Sequence, residues 1–234
     1  MVENVKTKMV ISGKVIELYE YENGYLKGYQ DKTGKTGRLL ASESENKLDN
    51  RAKVMQRAKT DVRRLINSNS DDLTKFLTLT FRENVTDLDY CHNEFKKYIK
   101  RLKYNYGDFK YIVVVEFQER GAVHYHMLCS LPYVKWKQLL DIWGNGSVHI
   151  TRIDRVTNLG AYVTKYMQKD LADSRLEKRK CYFTSRNLDK PIEVTQKKEI
   201  EQLRAALSHK MKLIFETTYI NDYTGKVMYK QYSV

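Results

Sequence analysis

The sequence has little of what marks multidomain, secreted or membrane proteins. It holds two prolines and eleven glycines among 234 residues, and no stretch rich in serine or glycine that would mark a linker. Its longest apolar run, Tyr111 to Val115, is far shorter than the roughly 20 residues of a membrane-spanning helix. The N-terminal residues lack the apolar stretch of a signal peptide. We therefore expect a cytoplasmic protein with no membrane partner.

Cysteine is scarce as well. Cys91, Cys129 and Cys181 are the three cysteines of the chain, and no two of them form a CxxC pair. An odd and scattered set is typical neither of a disulfide framework nor of a zinc site. The pattern predicts reduced thiols, as in a cytoplasmic protein.

Positive charge, in contrast, is abundant. Lys and Arg number 42 against 29 Asp and Glu, which gives a net charge of +13. This excess favours a polyanionic partner, although a basic protein of unrelated function would show it equally. The 18 tyrosines add aromatic rings, which together with cations suit single-stranded nucleic acid. Apolar residues make up 41% of the chain, as in a folded protein.

The hydrophobic pattern of the middle of the chain predicts an α+β fold. Strands are predicted at 76–81, 111–117, 122–130 and 147–153, and helices at 87–106, 134–143 and 158–170. Thr86 is the expected N-cap of the first of these helices. The order β-α-β-β-α-β is ferredoxin-like or RRM-like, and it predicts an antiparallel sheet with its helices on one face.

The two ends of the chain are expected to form extensions of this core. Residues 1–70 contain alternating strand patterns, a hairpin signal at Asn23-Gly24 and helical spacing from Asn50 to Asn67. The tail returns to strand-like segments. We therefore divide the chain into an N-terminal extension (1–70), a core (71–190) and a C-terminal extension packed on the same unit (191–234).

The sharpest local feature is the sequence His124-Tyr125-His126. Residues i and i+2 of a strand point to the same face, so the two imidazoles lie side by side. Such a pair can bind a divalent metal. Two tolerated surface histidines would give the same pattern, and His92 and His149 have no comparable neighbours in the sequence.

A carboxylate joins this pair if the preceding hairpin has a three-residue loop. With residues 119–121 as the loop and Gly121 in the left-handed position, Gln118 pairs with Ala122. Glu116 then lies opposite His124 on the same face, and the mixed oxygen and nitrogen set suits Mg²⁺ or Mn²⁺. A two-residue loop would instead place Glu116 on the opposite face.

The 158–170 helix carries two phenols beside two ammonium groups. Residues three and four apart share a helix face, so Tyr162, Lys165, Tyr166 and Lys169 face one side. Cations beside phenols lower the cost of forming a phenolate and attract phosphate, so this face could hold a nucleophile. Tyrosines on a helix are nevertheless more often part of a core or interface.

Together these segments resemble the HUH endonucleases, specifically the rolling-circle replication initiator (Rep) proteins of plasmids and single-stranded DNA phages. FLTLTF (76–81) resembles the first motif of that family, Glu116 with RGAVHYHML (120–128) the second, and AYVTKYMQKD (161–170) the third. TSRNL (184–188) is similar to Rep sequences beyond the third motif. The resemblance covers about residues 70–190. Tyr125 departs from it, because the residue between the two histidines is normally apolar.

The resemblance implies a fold and a mechanism. It implies the HUH endonuclease fold, with His124, His126 and Glu116 holding Mg²⁺ or Mn²⁺ and with Tyr162 or Tyr166, or both, as nucleophile helped by Lys165. The implied activity is site-specific nicking and joining of single-stranded or hairpin origin DNA through a 5′-phosphotyrosine. A host helicase and a host polymerase are the implied partners.

Two further interpretations remain open at this stage. An HUH transposase or mobilisation protein would use the same chemistry, whereas a metal-free RRM-like module would need exposed aromatics on its central strands. Candidate cations for contacts with the DNA backbone are Lys96, Lys97, Lys100, Arg101, Lys103 and Lys169, with those at 175–180.

Overall fold

The computed structural model describes residues 3–27, 45–154, 156, 158–167 and 179–234. The chain divides into two compact units. We call Glu43–Asp189 the central unit and Met1–Ser42 with Lys190–Val234 the terminal unit. Among the described residues, no helix is both long enough and apolar enough to cross a membrane.

Five α-helices and ten strands are seen in the described part of the chain. The elements of the central unit are α1 (Glu45–Ser68), β3 (Lys75–Phe81), α2 (Leu88–Tyr106), β4 (Tyr111–Phe117), β5 (Val123–Cys129), α3 (Trp136–Trp143), β6 (Gly146–Thr151), α4 (Leu159–Thr164), a 3₁₀ turn (Lys165–Met167) and β7 (Tyr182–Thr184). Those of the terminal unit are β1 (Glu3–Ser12), β2 (Val15–Lys27), β8 (Ile192–Val194), α5 (Lys197–Leu207), β9 (Lys212–Asn221) and β10 (Gly225–Ser233).

The central unit confirms the predicted α+β class and the β-α-β-β-α-β order. Its sheet has the strand order β6-β3-β5-β4-β7, and every neighbouring pair is antiparallel. The strand with the two histidines, β5, is the middle strand and is buried along its whole length. The histidines therefore stand on the most rigid part of the sheet.

The prediction that the helices lie on one face of the sheet is wrong. Val123, Tyr125 and Met127 of β5 pack in one core with α2 and α3, as predicted. On the other face, Leu128 packs in a second core with residues of α1 and α4. Alternation along β5 thus sends its apolar residues into two cores. The sheet is covered on both sides, and the histidines share their face with α1 and α4.

The expected division at residues 70 and 191 also differs from the structure. Val62 and Ile66 of α1 are fully buried in the second core, so this helix belongs to the central unit. The terminal strands β1 and β2 pair instead with strands from the other end of the chain, in the order β8-β1-β2-β10-β9. One face of that sheet packs against Ile200 of α5.

Two local predictions need correction. Asn23-Gly24 does not form a hairpin, because β2 runs through it; the register against β1 shifts between Val5 and Thr7, and Gly24 takes a positive φ of 71°. This is a β-bulge, which uses the same left-handed glycine as a tight turn. The N-cap of α2 is Asp87 and not Thr86: the Asp87 carboxylate accepts from the backbone N–H groups of Asp89 (2.9 Å) and Tyr90 (3.1 Å).

Candidate active site

The hairpin between β4 and β5 has the three-residue loop that the sequence predicts. The backbone N–H of Gln118 donates to Ala122 O (2.9 Å), that of Gly121 donates to Gln118 O (2.7 Å), and Gly121 has a φ of 87°. A residue with a side chain rarely adopts this φ, so the glycine fixes the loop. The resulting register pairs Glu116 with His124 and rules out the two-residue loop.

The register brings one carboxylate and two imidazoles together. The ligand atoms of Glu116, His124 and His126 all lie within 4.8 Å of one another. All three residues are buried, with exposed fractions of 9%, 8% and 4%. Glu116 Oε2 lies 2.5 Å from His126 Nε2. Because buried polar groups cost free energy unless they are partnered, this cluster is a built site and not two tolerated surface histidines.

Thr78 orients the second histidine. Its Oγ1 lies 3.1 Å from His126 Nδ1, so Nε2 is the ring nitrogen that faces Glu116. A hydrogen bond on the other ring nitrogen is the usual way to fix the orientation of a ligating histidine. Sequence reasoning missed Thr78, although its place in β3 is readable: it pairs with His126, and alternation puts it on the histidine face.

The protonation state of His124 suits a metal ligand. Burial lowers the pKa of its imidazole from the usual 6.5 to about 4; His126 acts in the same direction, and Glu116 opposes both. The ring is therefore neutral at physiological pH, with a lone pair available. Two neutral imidazoles and a carboxylate fit a divalent cation such as Mn²⁺ or Mg²⁺ that keeps positions for substrate oxygens.

The tyrosines reach the site on α4. The Asn158 side chain caps this helix by accepting from the backbone N–H of Ala161 (2.9 Å), and Val163 packs in the second core. The sequence predicts a helix to residue 170, whereas α4 ends at Thr164 and continues as the 3₁₀ turn Lys165–Met167. Residues 168–170, including the predicted DNA contact Lys169, lie outside the described residues.

Both phenols stand on the histidine face of the sheet. The Tyr166 ring stacks on His126 with 3.9 Å between centroids and 21° between planes. The Tyr162 ring is 6.1 Å from that of Tyr166, and Phe76 lies 5.8 Å from each. Lys165 Nζ lies 3.9 Å from the Tyr162 ring centroid and 5.0 Å from that of Tyr166. The two predicted groups, tyrosines and ligands, thus form one site.

Tyr166 is a neutral phenol in this arrangement. Burial raises its pKa well above the usual value of 10, and the hydrogen bond with Tyr162 and the nearby Glu116 carboxylate act in the same direction. The hydrogen bond shows that the two hydroxyl groups meet at one place. An attacking phenol must therefore lose its proton during the reaction and not before it.

The approach of α4 to α1 depends on Gly160. A Cβ atom at this position would lie 2.6 Å from the Arg63 carbonyl oxygen and 2.6 Å from Asn67 Oδ1. The Asn67 side chain also accepts from the backbone N–H of Gly160 (3.2 Å). Sequence reasoning missed both residues, because a close helix contact leaves no mark in the hydrophobic period.

We expect Gly160→Ala to move the tyrosine helix. The methyl group meets backbone and a hydrogen-bonded side chain, so α4 has to shift, at a cost of about 1–3 kcal/mol for an overpacked site. Urea unfolding measures the stability, and cleavage of single-stranded DNA measures the position of the tyrosines. A variant with wild-type stability and rate would show that the helices separate freely.

The predicted DNA-contacting cations lie elsewhere. Lys96, Lys97, Lys100, Arg101 and Lys103 are all on α2, which packs on the sheet face opposite the histidines. Lys97 pairs with Glu94 (2.6 Å) and Lys103 with Asp108 (2.6 Å). Of the cations at 175–180, Arg179 pairs with Asp89 and Lys180 is exposed; residues 175–178 lie outside the described residues. Their contact with DNA stays a prediction.

Tyr125, the departure from the family pattern, has a partner on the other face. Its hydroxyl lies 2.7 Å from His92 Nδ1, so the phenol is satisfied within the core. His92 Nε2 is buried without a hydrogen-bond partner among the described residues. Burial lowers the pKa of His92 from 6.5 to about 4, with Lys96 acting in the same direction and Asp89 against it.

This pair predicts a pH-dependent stability. Between about pH 6.5 and pH 4 the unfolded chain binds protons that the buried His92 and His124 do not, so the folded state loses stability as the pH falls. Replacing the pair by His92→Leu with Tyr125→Phe should flatten this fall. Tyr125→Phe alone leaves the His92 ring without its partner and should cost about 1–3 kcal/mol. Urea unfolding at pH 7 and pH 5 checks both, and equal pH slopes in wild type and double variant would contradict the assignment.

Comparison with known proteins agrees with this geometry. Residues 74–171 match a family model described as Replication-associated protein ORF2. This segment runs from the strand before the ligand cluster to the helix of the two tyrosines. No curated protein and no solved structure matches the chain significantly. The part of the chain that builds the site is thus of this replication-associated protein family, consistent with a rolling-circle replication initiator.

Proposed function

We propose that the protein nicks and rejoins single-stranded DNA at a specific site, by tyrosine transesterification, to start and end rolling-circle replication. The observation that carries this proposal is the stacking of Tyr166 on His126, within the cluster of His126, His124 and Glu116. A phenol placed against a divalent-metal site is an arrangement for attack on a phosphodiester. The family match supports a role in replication.

The chemistry balances without a further reactant. A tyrosine oxygen forms a bond to the scissile phosphorus, the bond from phosphorus to the 3′ oxygen breaks, and the phenolic proton ends on the departing 3′ hydroxyl. The product is a 5′-phosphotyrosine and a free 3′ end. The reverse reaction joins strands. The phosphodiester energy is kept in the covalent link, so no ATP is consumed.

The residues of the chain divide the work. Glu116, His124 and His126 would hold the divalent ion, which as a Lewis acid supplies stabilisation of the negative charge that develops on the phosphate. Thr78 keeps the His126 ring in its orientation. Lys165, beside both phenols, places a positive charge where a phenolate forms and where the phosphoryl oxygens approach. Gly160 and Asn67 hold the helix that carries the nucleophiles.

The proposed DNA partner is a single-stranded or hairpin segment of a replication origin. The net charge of +13 suits a polyanion. The free 3′ hydroxyl produced by nicking would prime a host polymerase, while a host helicase displaces the strand.

A denaturing gel tests the proposal. The full-length protein is incubated with Mn²⁺ and a pool of single-stranded oligonucleotides with randomised centres, labelled at either the 5′ or the 3′ end. The 3′ label should migrate with the protein, because a 5′-phosphotyrosine retains the downstream fragment, and the 5′ label should appear on a shortened free strand. Sequencing of the trapped fragments gives the nick site. Absence of any adduct across the pool, or an adduct that carries the 5′ label, would overturn the proposal.

A further inference from the structure

A cavity of about 330 Å³ lies between α1 and α4. Gln56, Lys59, Thr60 and Arg63 line it from α1, and Lys165 is among the residues that line it from the tyrosine helix. It is on the α1 side of that helix and is separate from the ligand cluster, because none of its lining residues is a member of that cluster.

The charged side chains that line this cavity are all cationic. Lys59, Arg63 and Lys165 line it, and among the described residues no acidic side chain does so. The lining hydroxyl groups do not alter this balance: Thr60 donates to Gln56 O (3.0 Å) and Thr164 to Gly160 O (2.8 Å). Three cations around one cavity attract an anion, and side-chain ammonium and guanidinium groups are the usual ligands of phosphate.

The pKa of Lys59 reflects the crowding of these cations. Burial lowers the pKa of its ammonium group, and the neighbouring Arg63 lowers it further. A bound anion would offset this repulsion. Burial also favours the interaction, because charges are screened less in a half-buried cavity than on an open surface.

Lys165 connects this cavity with the tyrosines. Its Nζ lies 3.9 Å from the Tyr162 ring centroid, and the same side chain lines the cavity. An anion held by Lys59 and Arg63 therefore lies next to the place where a tyrosine attacks a phosphate. We propose that this cavity binds a phosphodiester of the DNA strand that flanks the scissile phosphate. The inference rests on the proposed function and adds to it a second contact that fixes the position of the strand.

Chemical removal of single phosphate charges tests the inference. Binding of the full-length protein to its nick-site oligonucleotide is measured by fluorescence anisotropy in EDTA, so that no cleavage intervenes. Each phosphate near the nick is replaced in turn by a neutral methylphosphonate. One replacement should weaken wild-type binding by about 10-fold or more, which is the size of the effect when a charge-assisted hydrogen bond is removed.

The variant Lys59→Gln keeps most of the side-chain stem and removes the charge. It should bind the unmodified strand about 10-fold more weakly, and it should be insensitive to the one methylphosphonate that weakens wild type. Its slope of log affinity against log salt should fall by about 0.7, as expected when one phosphate of a single strand is no longer neutralised. Arg57→Ala, an exposed cation of the same helix that does not line the cavity, is the matched control and should keep the wild-type methylphosphonate profile.

Two results would overturn the inference. One is an identical methylphosphonate profile for wild type and a folded Lys59→Gln, with folding checked by circular dichroism. The other is binding of free inorganic phosphate or a deoxynucleoside triphosphate at Lys59 without any methylphosphonate coupling, which would mark an effector site. Failure of the proposed function looks different: cleavage would then be absent in Mn²⁺ whatever the binding profile shows.

Discussion

Replacing His124 and His126 together by alanine is expected to reduce DNA cleavage by about 10³-fold or more and to leave most of the DNA binding in place. The two imidazoles supply two of the three side chains in the buried ligand cluster. Charge stabilisation by a bound metal contributes several kcal/mol to phosphoryl transfer, and about 1.4 kcal/mol corresponds to a factor of ten in rate. Binding should persist because most protein–DNA contacts go to the backbone phosphates and sugars.

The measurement has two readouts. Gel assays give the rate of nicking in Mn²⁺, and calorimetric titration with Mn²⁺ alone gives the metal affinity without reference to activity. His149→Ala is the matched control. His149 stands on the same sheet face, beyond Thr78, but it is exposed and outside the ligand cluster. It should bind Mn²⁺ as wild type does. Cleavage by the double variant at the wild-type rate, or wild-type cleavage that survives a chelator, would refute the metal site.

The ligand cluster was predictable because the rules that build it are local. Strand alternation places His124 and His126 on one face whatever the rest of the chain does. The position of Gly121 decides the loop length, and the loop length decides that Glu116 joins them. The helical spacing that puts Tyr162 and Tyr166 on one face of a helix is equally local.

What the sequence could not predict depends on contacts between distant segments. The period of α1 shows which of its sides is apolar, but not which face of the sheet it covers, so its place over the histidine face was missed. Asn23-Gly24 has the chemistry of a turn and of a bulge alike, and pairing with β1 decides between them. Thr78 and Asn67 act through single hydrogen bonds to residues 48 and 93 positions away, for which hydrophobic patterning has no signal.

Tyr162 and Tyr166 are both expected to act as nucleophiles, one for the first cut and one for the second. A replication initiator has to cut at the start and again when the origin has been copied, and after the first cut one tyrosine is occupied by DNA. The two rings are 6.1 Å apart and Lys165 lies near both. Their hydroxyl groups share a hydrogen bond, so either oxygen can reach the same phosphate with a small rotation of its side chain.

Peptide mapping of the covalent adduct separates this mechanism from one with a single nucleophile. Tyr162→Phe and Tyr166→Phe should each still form adduct, on the tyrosine that remains, and the double variant should form none. On a strand with two nick sites, wild type should release and join the segment between them, whereas each single variant should stop after one cut. Tyr133→Phe, which removes the hydroxyl of a tyrosine that is 85% exposed, controls for the loss of a phenol as such. If one single variant forms no adduct while the other forms it normally, only one tyrosine is the nucleophile, and the second phenol serves to hold the first through their hydrogen bond.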